Sequence, residues 1–452
     1  MISHIEVSGF RSLENFSLTL KPGVNILVGP NGAGKTNILA FFEFLRHLTY
    51  GNASQAVSMM GGANAIFRKT PIADFDFDFN CKAKVYGSVS IDKGVWISYL
   101  YEFELNLATI LDSLTLTKQV FSARIRNKQN TGRPKDSSWA FTASHSVSVE
   151  TGETSTKVKI SDQGFFQNFE SSLPPAFRKT KVSETSLASD LSSYIEDGSS
   201  LVPRIGRIIS GLENKVLTDF RGGTIFNIVP SQAKIEEDIT KTPRIERSGA
   251  GIYATLQVLE KLANAGPRRE RFLSQLPWTL QRFEQITHDD IVALLKLASD
   301  SITDYKVVND PFDNKLQVRI TLKGNNKDDS MILPLSSMSD GTVKWLALVL
   351  ITLTSISNFS VEEPENYLHP RMQQEFLRLL RSKISEDTAA LVSTHSETLL
   401  NSCSPNEIIV VSFAKGRTHA SRPKNSKLLS QEISETGFGL GYYYVAGALE
   451  AE

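Results

Sequence analysis

The sequence predicts an α/β fold built on a parallel sheet, with an antiparallel β insert and a mainly helical lid or arm. Three observations predict it. GPNGAGKT, residues 29–36, lies between an apolar strand-like run and an amphipathic helix. From about residue 75 to 169 the chain alternates apolar and polar residues with period two. In the C-terminal half, helical patterns alternate with short apolar strands, the order of βα units.

Taken in order, ISHIEVSGF, FSLTL and VNILV read as strands, with Pro22-Gly23 as the turn between the last two. A helix is expected over 35–48, where Ile38, Leu39, Phe42 and Leu45 form an apolar face. DFDFDFNCKAKVYG, VWISYLYEFELNL, LTLTKQVFSARIR and HSVSVETG form the antiparallel insert. NKQNTGRPKDSS, from Asn127, is its polar hairpin tip, and the basic residues around it (Arg124, Arg126, Lys128, Arg133, Lys135) are read as a solvated face. Residues 176–300 are mostly helical in pattern, interrupted by the short strand TIFNIVP near Ile225. The strand KLQVRITLKG then leads to a helix at 343–354, a strand at 359–362, a helix at 370–384 and a strand at 389–393. The strand EIIVVSF comes last. The expected division is 1–172, 173–305 and 306–452: an N-terminal lobe with the insert, a mainly helical lid or arm, and a C-terminal lobe.

Composition narrows the function classes. The chain has 452 residues, 40% hydrophobic and 22% charged, with a formal net charge of zero. Such a chain buries a sizeable core. It has no global basic field, so nucleic-acid binding would need local patches, of which RKTK at Arg178 and PRRER at Pro267 are the best. Two cysteines, Cys81 and Cys403, cannot form a disulfide framework and suit a reducing compartment. The N-terminus lacks a basic segment followed by an apolar one, and the apolar stretch from Trp345 is too short to span a bilayer. A cytoplasmic protein with no membrane contact is expected.

The site residues follow from their chemistry. Glycines at 29, 32 and 34 let successive backbone N–H groups turn inward and cradle phosphate oxygens, and the following helix adds its N-terminal dipole. Lys35 reaches the outer phosphates and Thr36 binds Mg²⁺. Glu362 and Glu363 end a strand of the same sheet, where ligands of doubly wound folds collect. One acid can hold the Mg²⁺ shell and the next can polarise the attacking water. SSMSDGT, residues 336–342, alone reads as a capped helix start, with Ser339 and Asp340 as caps. His395 ends a buried strand from which it could reach the γ-phosphate.

The order of these segments resembles a family. GFRSLENFSLTL, then the P-loop, LSSMSDGT, EEPENYLHP and STHS, is similar to the ABC-type ATPase heads of the RecF, SMC and OLD kind. It also resembles the compact ATP-binding proteins of bacterial phage-defence operons of the Septu and PARIS type. The resemblance implies ATP and Mg²⁺ as ligands. Residues 29–36 become the Walker A, with Asn31, Gly32, Gly34, Lys35, Thr36 and Asn37 at the nucleotide. Ser339 and Gly341 become the signature that contacts a second subunit's γ-phosphate. Glu362 takes the Walker B Asp position, Glu363 the catalytic Glu, and His395 the switch histidine. Leu368 and His369 fall in the D-loop. Arg11 lies in a segment that sits beside the nucleotide in relatives. The signature completes the site only in trans, so a head-to-head homodimer around two ATP is implied.

Three departures stand out. Glu362 replaces Asp and is one methylene longer; it can still ligate the Mg²⁺ shell, and displacing that shell by more than about 1 Å can cost on the order of a hundredfold in rate, so a slow enzyme is expected. Ser357, Asn358 and Ser360 interrupt the apolar pattern before and within the acidic strand. No glutamine is placed at the metal; Gln55 and Gln119 are the candidates. The expected function is a slow regulatory ATPase acting through an effector on another chain, a nuclease in anti-phage defence. The alternative is a RecF-like DNA clamp in repair or replication. A transporter ATPase is disfavoured because SMSDGT departs from LSGGQ-like signatures.

Overall fold

The structure, a computed structural model, describes residues 1–68, 70–73, 76–92, 95–108, 113–127, 138–147, 154–163, 200, 213–266, 283, 285–310, 312–324, 330–355, 357–384 and 387–449. Its centre is a six-stranded sheet. The strand order is Thr224–Phe226, Phe359–Glu362, Ala389–Thr394, Gly23–Val28, Ile408–Ala414, Arg417–Ser421. The first five run parallel and the last is antiparallel.

The central strands are apolar without alternation because both faces are covered. All six residues of Ala389–Thr394 and all four of Phe359–Glu362 are buried. Their side chains still divide by parity. Leu27, Leu391, Ile409 and Val411 join one core with the Lys35–Leu48 helix and the first sheet strands. Ile26, Val28, Val361, Val392 and Ile408 join the other, with the helices Ile252–Asn264, Asp340–Thr354 and Pro370–Lys383. Two hydrophobic cores thus sandwich one sheet, the α/β layering that the βα alternation predicts.

The period-two block forms an antiparallel meander of five strands: Asn80–Asp92, Val95–Ala108, Ser113–Asn127, Ser138–Val147 and Thr154–Gln163. Ile2–Ser8 pairs with Asn80–Asp92 on one side and Phe16–Thr19 on the other, so the insert extends the N-terminal hairpin into a seven-stranded sheet.

The region expected as a mainly helical lid or arm is described only in part. Thr224–Phe226 is an edge strand of the central sheet, paired with Phe359–Glu362. Ile252–Asn264 and His288–Ala298 pack in the same core as Asp340–Thr354. From residue 224 on, this span is therefore built into the ATPase body. The strand itself is legible as TIFNIVP, but its three residues do not say which sheet they join, which is set by long-range pairing. The segments ASDLSSYIEDG, RKTK and PRRER, most of the 268–297 stretch, and the hairpin tip from residue 128 lie outside the described residues.

The polar interruptions at 358 and 360 are absorbed locally. Asn358 is buried; its Oδ1 accepts from Ala389 N at 2.9 Å, and its carbonyl accepts from Gly223 N at 2.7 Å. It pins the starts of three neighbouring segments. Ser360 is fully buried, and among the described residues its hydroxyl has no hydrogen-bond partner. No described helix is long and apolar enough to cross a membrane.

Candidate nucleotide-binding site

Strand register brings the separated motifs to one edge. Val28 is level with Thr394, and Ser393 with Glu362. Because these strands are parallel and adjacent, the P-loop, the acidic turn and the His395 turn all leave the sheet from its C-terminal edge.

The P-loop is braced from beneath by residues the sequence did not reveal. The Thr418 hydroxyl donates to Ala33 O at 3.1 Å, and the hydroxyls of Ser12 and Thr418 lie 2.6 Å apart. Asn37 Nδ2 donates to Ser12 Oγ at 2.7 Å. Gly34 sits directly against Thr418: its φ is +100°, and a Cβ there would fall 2.0 Å from Oγ1. Only glycine satisfies both conditions. Asn31 and Gly32 are exposed at the loop tip, and Thr36 is exposed at the first turn of the helix.

Lys35 is folded back onto the loop. Its Nζ donates to the carbonyls of Gly29 at 2.7 Å and Pro30 at 3.0 Å. Burial lowers its pKa, and the carboxylates of Glu363 and Glu365 oppose that shift. A desolvated ammonium held by two carbonyls is well placed to exchange them for phosphate oxygens.

Arg11 has φ 49°, in the left-handed region. Its Nε donates to Ala65 O at 2.8 Å and its Nη1 lies 3.5 Å from Asn37 Oδ1. It lines a cavity of about 310 Å³ together with Thr36, Glu43, His47, Ile225 and Arg247. Arg247 reaches across to two acids, Glu43 at 3.1 Å and Glu362 at 3.6 Å. Burial raises the Glu43 pKa and Arg247 counters it. Burial, with help from Arg46 and Arg244, lowers the His47 pKa to about 4, so this ring is neutral at pH 7.

Glu362 is buried at the end of its strand, and Glu363 is exposed just beyond it. Glu363 has φ 44° and Tyr367 φ 68°, so two non-glycine residues of one short turn adopt left-handed backbone. Each costs on the order of 1 kcal/mol and is held only by its surroundings. Here the holding contacts are the Glu363 N–H to Ser393 O at 2.9 Å and Lys344 Nζ to Glu363 O at 2.9 Å. The Glu363 carboxylate accepts from Asn366 Nδ2 at 2.9 Å. Lys344 is 1% exposed, and its ammonium lies 5.7 Å from the Tyr367 ring centroid. Burial lowers its pKa to about 8, against the raising fields of Glu365 and Glu363. A lone charge in the run VKWLALVL was the sequence signal for it.

Ser339 caps its helix, its Oγ accepting from Thr342 N at 3.2 Å. A Cβ on Gly341 would lie 2.8 Å from Tyr367 O. Among the described residues, the hydrogen bonds of Ser339 stay on its own helix and none reaches the P-loop. His395 is exposed, and its backbone N–H donates to Glu365 Oε1 at 2.8 Å. The structure thus gathers residues 29–37, Glu362, Glu363 and His395 at one edge. Gly341 packs against the 363–367 turn, at the carbonyl of Tyr367. Gln55 closes a helix-capping box and Gln119 is buried in the antiparallel sheet, accepting from Tyr101 at 2.7 Å, so neither stands at the P-loop.

A strand–P-loop–helix unit, with a carboxylate ending the second strand along a parallel sheet, defines a P-loop nucleoside-triphosphate-binding protein. The chain belongs to the AAA ATPase domain family, whose profile matches residues 1–400. Local similarity is found to DNA replication and repair protein RecF of Corynebacterium jeikeium, 46% identical over 48 residues, covering 11% of this chain and 11% of that protein. RecF of Streptomyces avermitilis is 36% identical over 69 residues, covering 15% of this chain and 18% of that protein. The chain therefore spans only a small part of these relatives. Among solved structures, an Smc head bound to the C-terminal winged-helix domain of ScpA superposes with TM-score 0.48 at 13% identity, covering 95% of this chain and 99% of that one. The SMC head domain from Thermotoga maritima gives TM-score 0.36 at 12% identity, covering 93% and 98%.

Proposed function

We propose that the protein is an ATP-dependent head of the SMC/RecF type that binds Mg²⁺–ATP, hydrolyses it slowly, and dimerises head to head around two nucleotides. The observation that carries this reading is the shared sheet edge, where the braced P-loop, two consecutive carboxylates and a histidine converge.

The residues present fit the ligand. Lys35 exchanges Gly29 and Pro30 carbonyls for the outer phosphates, and the N–H groups of residues 31–36 surround them. Thr36 and Glu362 hold Mg²⁺, which when bound neutralises phosphate charge. Glu363, exposed beyond the strand, orients the attacking water and accepts its proton. His395 donates toward the terminal phosphate. Arg11 borders the nucleotide from the N-terminal hairpin. Ser339 and Gly341, on a helix start whose cap bonds stay on its own helix, complete the partner's site. The division into an N-terminal lobe, a middle segment and a C-terminal lobe serves this assembly, with partners docking on the middle segment.

Downstream, the dimer controls a separately encoded effector, a nuclease of anti-phage defence in the cytoplasm. Support for this step comes from the motif resemblance alone. The RecF matches favour a second reading, a DNA clamp in replication or repair.

The deciding experiment is steady-state ATP hydrolysis by wild type, Lys35→Ala and Glu363→Gln, with mass measured in solution with and without ATP. The expected result is turnover only in wild type, loss of ATP binding in Lys35→Ala, and an ATP-stabilised dimer in Glu363→Gln. A wild type that binds ATP yet turns over no faster than Glu363→Gln would sink the catalytic assignment. ATP-dependent, salt-sensitive DNA binding would favour the clamp over effector control.

A further inference from the structure

The acidic turn holds a third carboxylate, Glu365, which neither the motif reading nor the proposed reaction uses. Its Oε1 accepts two hydrogen bonds, from the Thr394 hydroxyl and from the His395 backbone N–H, each 2.8 Å. These belong to the last residue of the histidine strand and the first residue beyond it, where the ladder ends. The contacts continue as a ring. Ser396 N donates to Thr394 Oγ1 at 2.9 Å, and Ser396 Oγ donates to Gln373 Oε1 at 2.6 Å. Gln373 Nε2 donates to Leu368 O at 3.1 Å, and Leu368 N returns to Glu365 O at 3.0 Å. Thr394 is 0% exposed and Gln373 7%, so most of this ring is shielded from water.

The other oxygen of Glu365 is buried and has no hydrogen-bond partner among the described residues. Leaving a carboxylate oxygen so is costly, and glutamine or a smaller acceptor would avoid the full charge. Its charge is offset at a distance by the ammonium groups of Lys35 and Lys344, both of which lie in its field. An acceptor carrying charge makes the hydrogen bond to the His395 N–H shorter and stronger than a neutral one would.

We propose that Glu365 is the positioning residue for His395. It fixes the backbone at which the chain leaves the sheet, so that the imidazole points to one place, the terminal phosphate of the nucleotide. This rests on the reading of the P-loop as an ATP site. Because the same ring carries Leu368, the histidine turn and the turn after the acidic strand move as one piece.

The test compares Glu365→Gln, which keeps an acceptor, with Glu365→Leu, which fills the space without one. The first readout needs no nucleotide: hydrogen–deuterium exchange at the His395 amide. Glu365→Gln should keep its protection and Glu365→Leu should lose it. The second readout is turnover. Glu365→Gln should stay within about threefold of wild type, while Glu365→Leu should fall by about tenfold or more in kcat with KM unchanged. The Glu365→Leu/His395→Ala double variant should be no slower than His395→Ala, because the first residue acts through the second. Unchanged exchange in Glu365→Leu, or additive losses in the double variant, would overturn the proposal. So would a Glu365→Gln that is slow while its His395 amide stays protected, since the carboxylate would then act on the reaction itself. Should Glu365→Leu fail to fold, Glu365→Gln alone separates these cases. A wild type without turnover would defeat the ATPase reading, and the exchange arm would still decide whether Glu365 holds the His395 turn.

Discussion

The guanidinium of Arg247 stands 3.6 Å from the carboxylate of Glu362, and its other nitrogen is 3.1 Å from Glu43. The acid proposed to hold Mg²⁺ is therefore already paired with a cation from the segment after the edge strand. The extra methylene of Glu over Asp extends the carboxylate toward that cation. Arg247 is half exposed, so the pair is screened and worth at most about 1 kcal/mol.

From this pairing, Arg247→Met should release Glu362 for the metal. The Mg²⁺ concentration that half-saturates ATP binding should fall by up to about fivefold, the equivalent of about 1 kcal/mol. A titration of Mg²⁺ at fixed ATP, read by a fluorescent ATP analogue, measures it. A rise in the half-saturating concentration would mean that Arg247 helps to build the site rather than competing for it.

The P-loop brace gives a second expectation. Thr418→Val removes the hydroxyl that donates to Ala33 O and meets Ser12, while keeping the side-chain volume. A buried hydrogen-bonded hydroxyl is worth roughly 1 kcal/mol, and the partners left behind add to the loss. The variant should melt lower and bind ATP several-fold more weakly. Gly34→Ala should do worse, since it adds a Cβ where φ is +100° and Thr418 Oγ1 is 2.0 Å away. The pair Gly34→Ala/Thr418→Ser would not recover, because the hydroxyl remains in the way.

Much of this architecture was legible in the sequence because it is local. The P-loop spacing, the period-two insert and the buried run ending in Glu362 each declare themselves within about a dozen residues. What was hidden depends on contacts between distant segments. Thr418 meets the P-loop only because Arg417–Ser421 closes the sheet edge. Arg247 faces Glu362 only because Thr224–Phe226 joins the same sheet. That strand is legible as TIFNIVP, but its three residues do not name the sheet they join, and so the following segment reads as part of a lid or arm. Lys344 and Glu365 were visible as residues, but a charge in an apolar run and a third acid in EEPE gain meaning only when the turn between them is folded.

Lys344 supplies the last expectation. It is 1% exposed, and burial brings its pKa from 10.5 down to about 8 in the folded protein. The unfolded chain therefore holds more protons than the folded one between about pH 8 and 10.5, so this residue's contribution to stability rises with pH across that window. Below pH 8 the folded protein bears the full cost of a buried ammonium, up to about 3 kcal/mol from a shift of this size. Lys344→Met should remove the slope: its stability, relative to wild type, should be highest near neutral pH and fall toward equality by pH 10.5. Denaturant midpoints at pH 7, 9 and 10.5 measure this directly. The same substitution deletes the contact to Glu363 O, which helps hold a left-handed glutamate at the end of the acidic strand. Turnover should therefore drop by about tenfold even where the protein is more stable, since the carboxylate proposed to orient water would no longer be held in one place. A variant that gained stability and kept full turnover would show that the strained turn is held by the sheet alone, through Ser393.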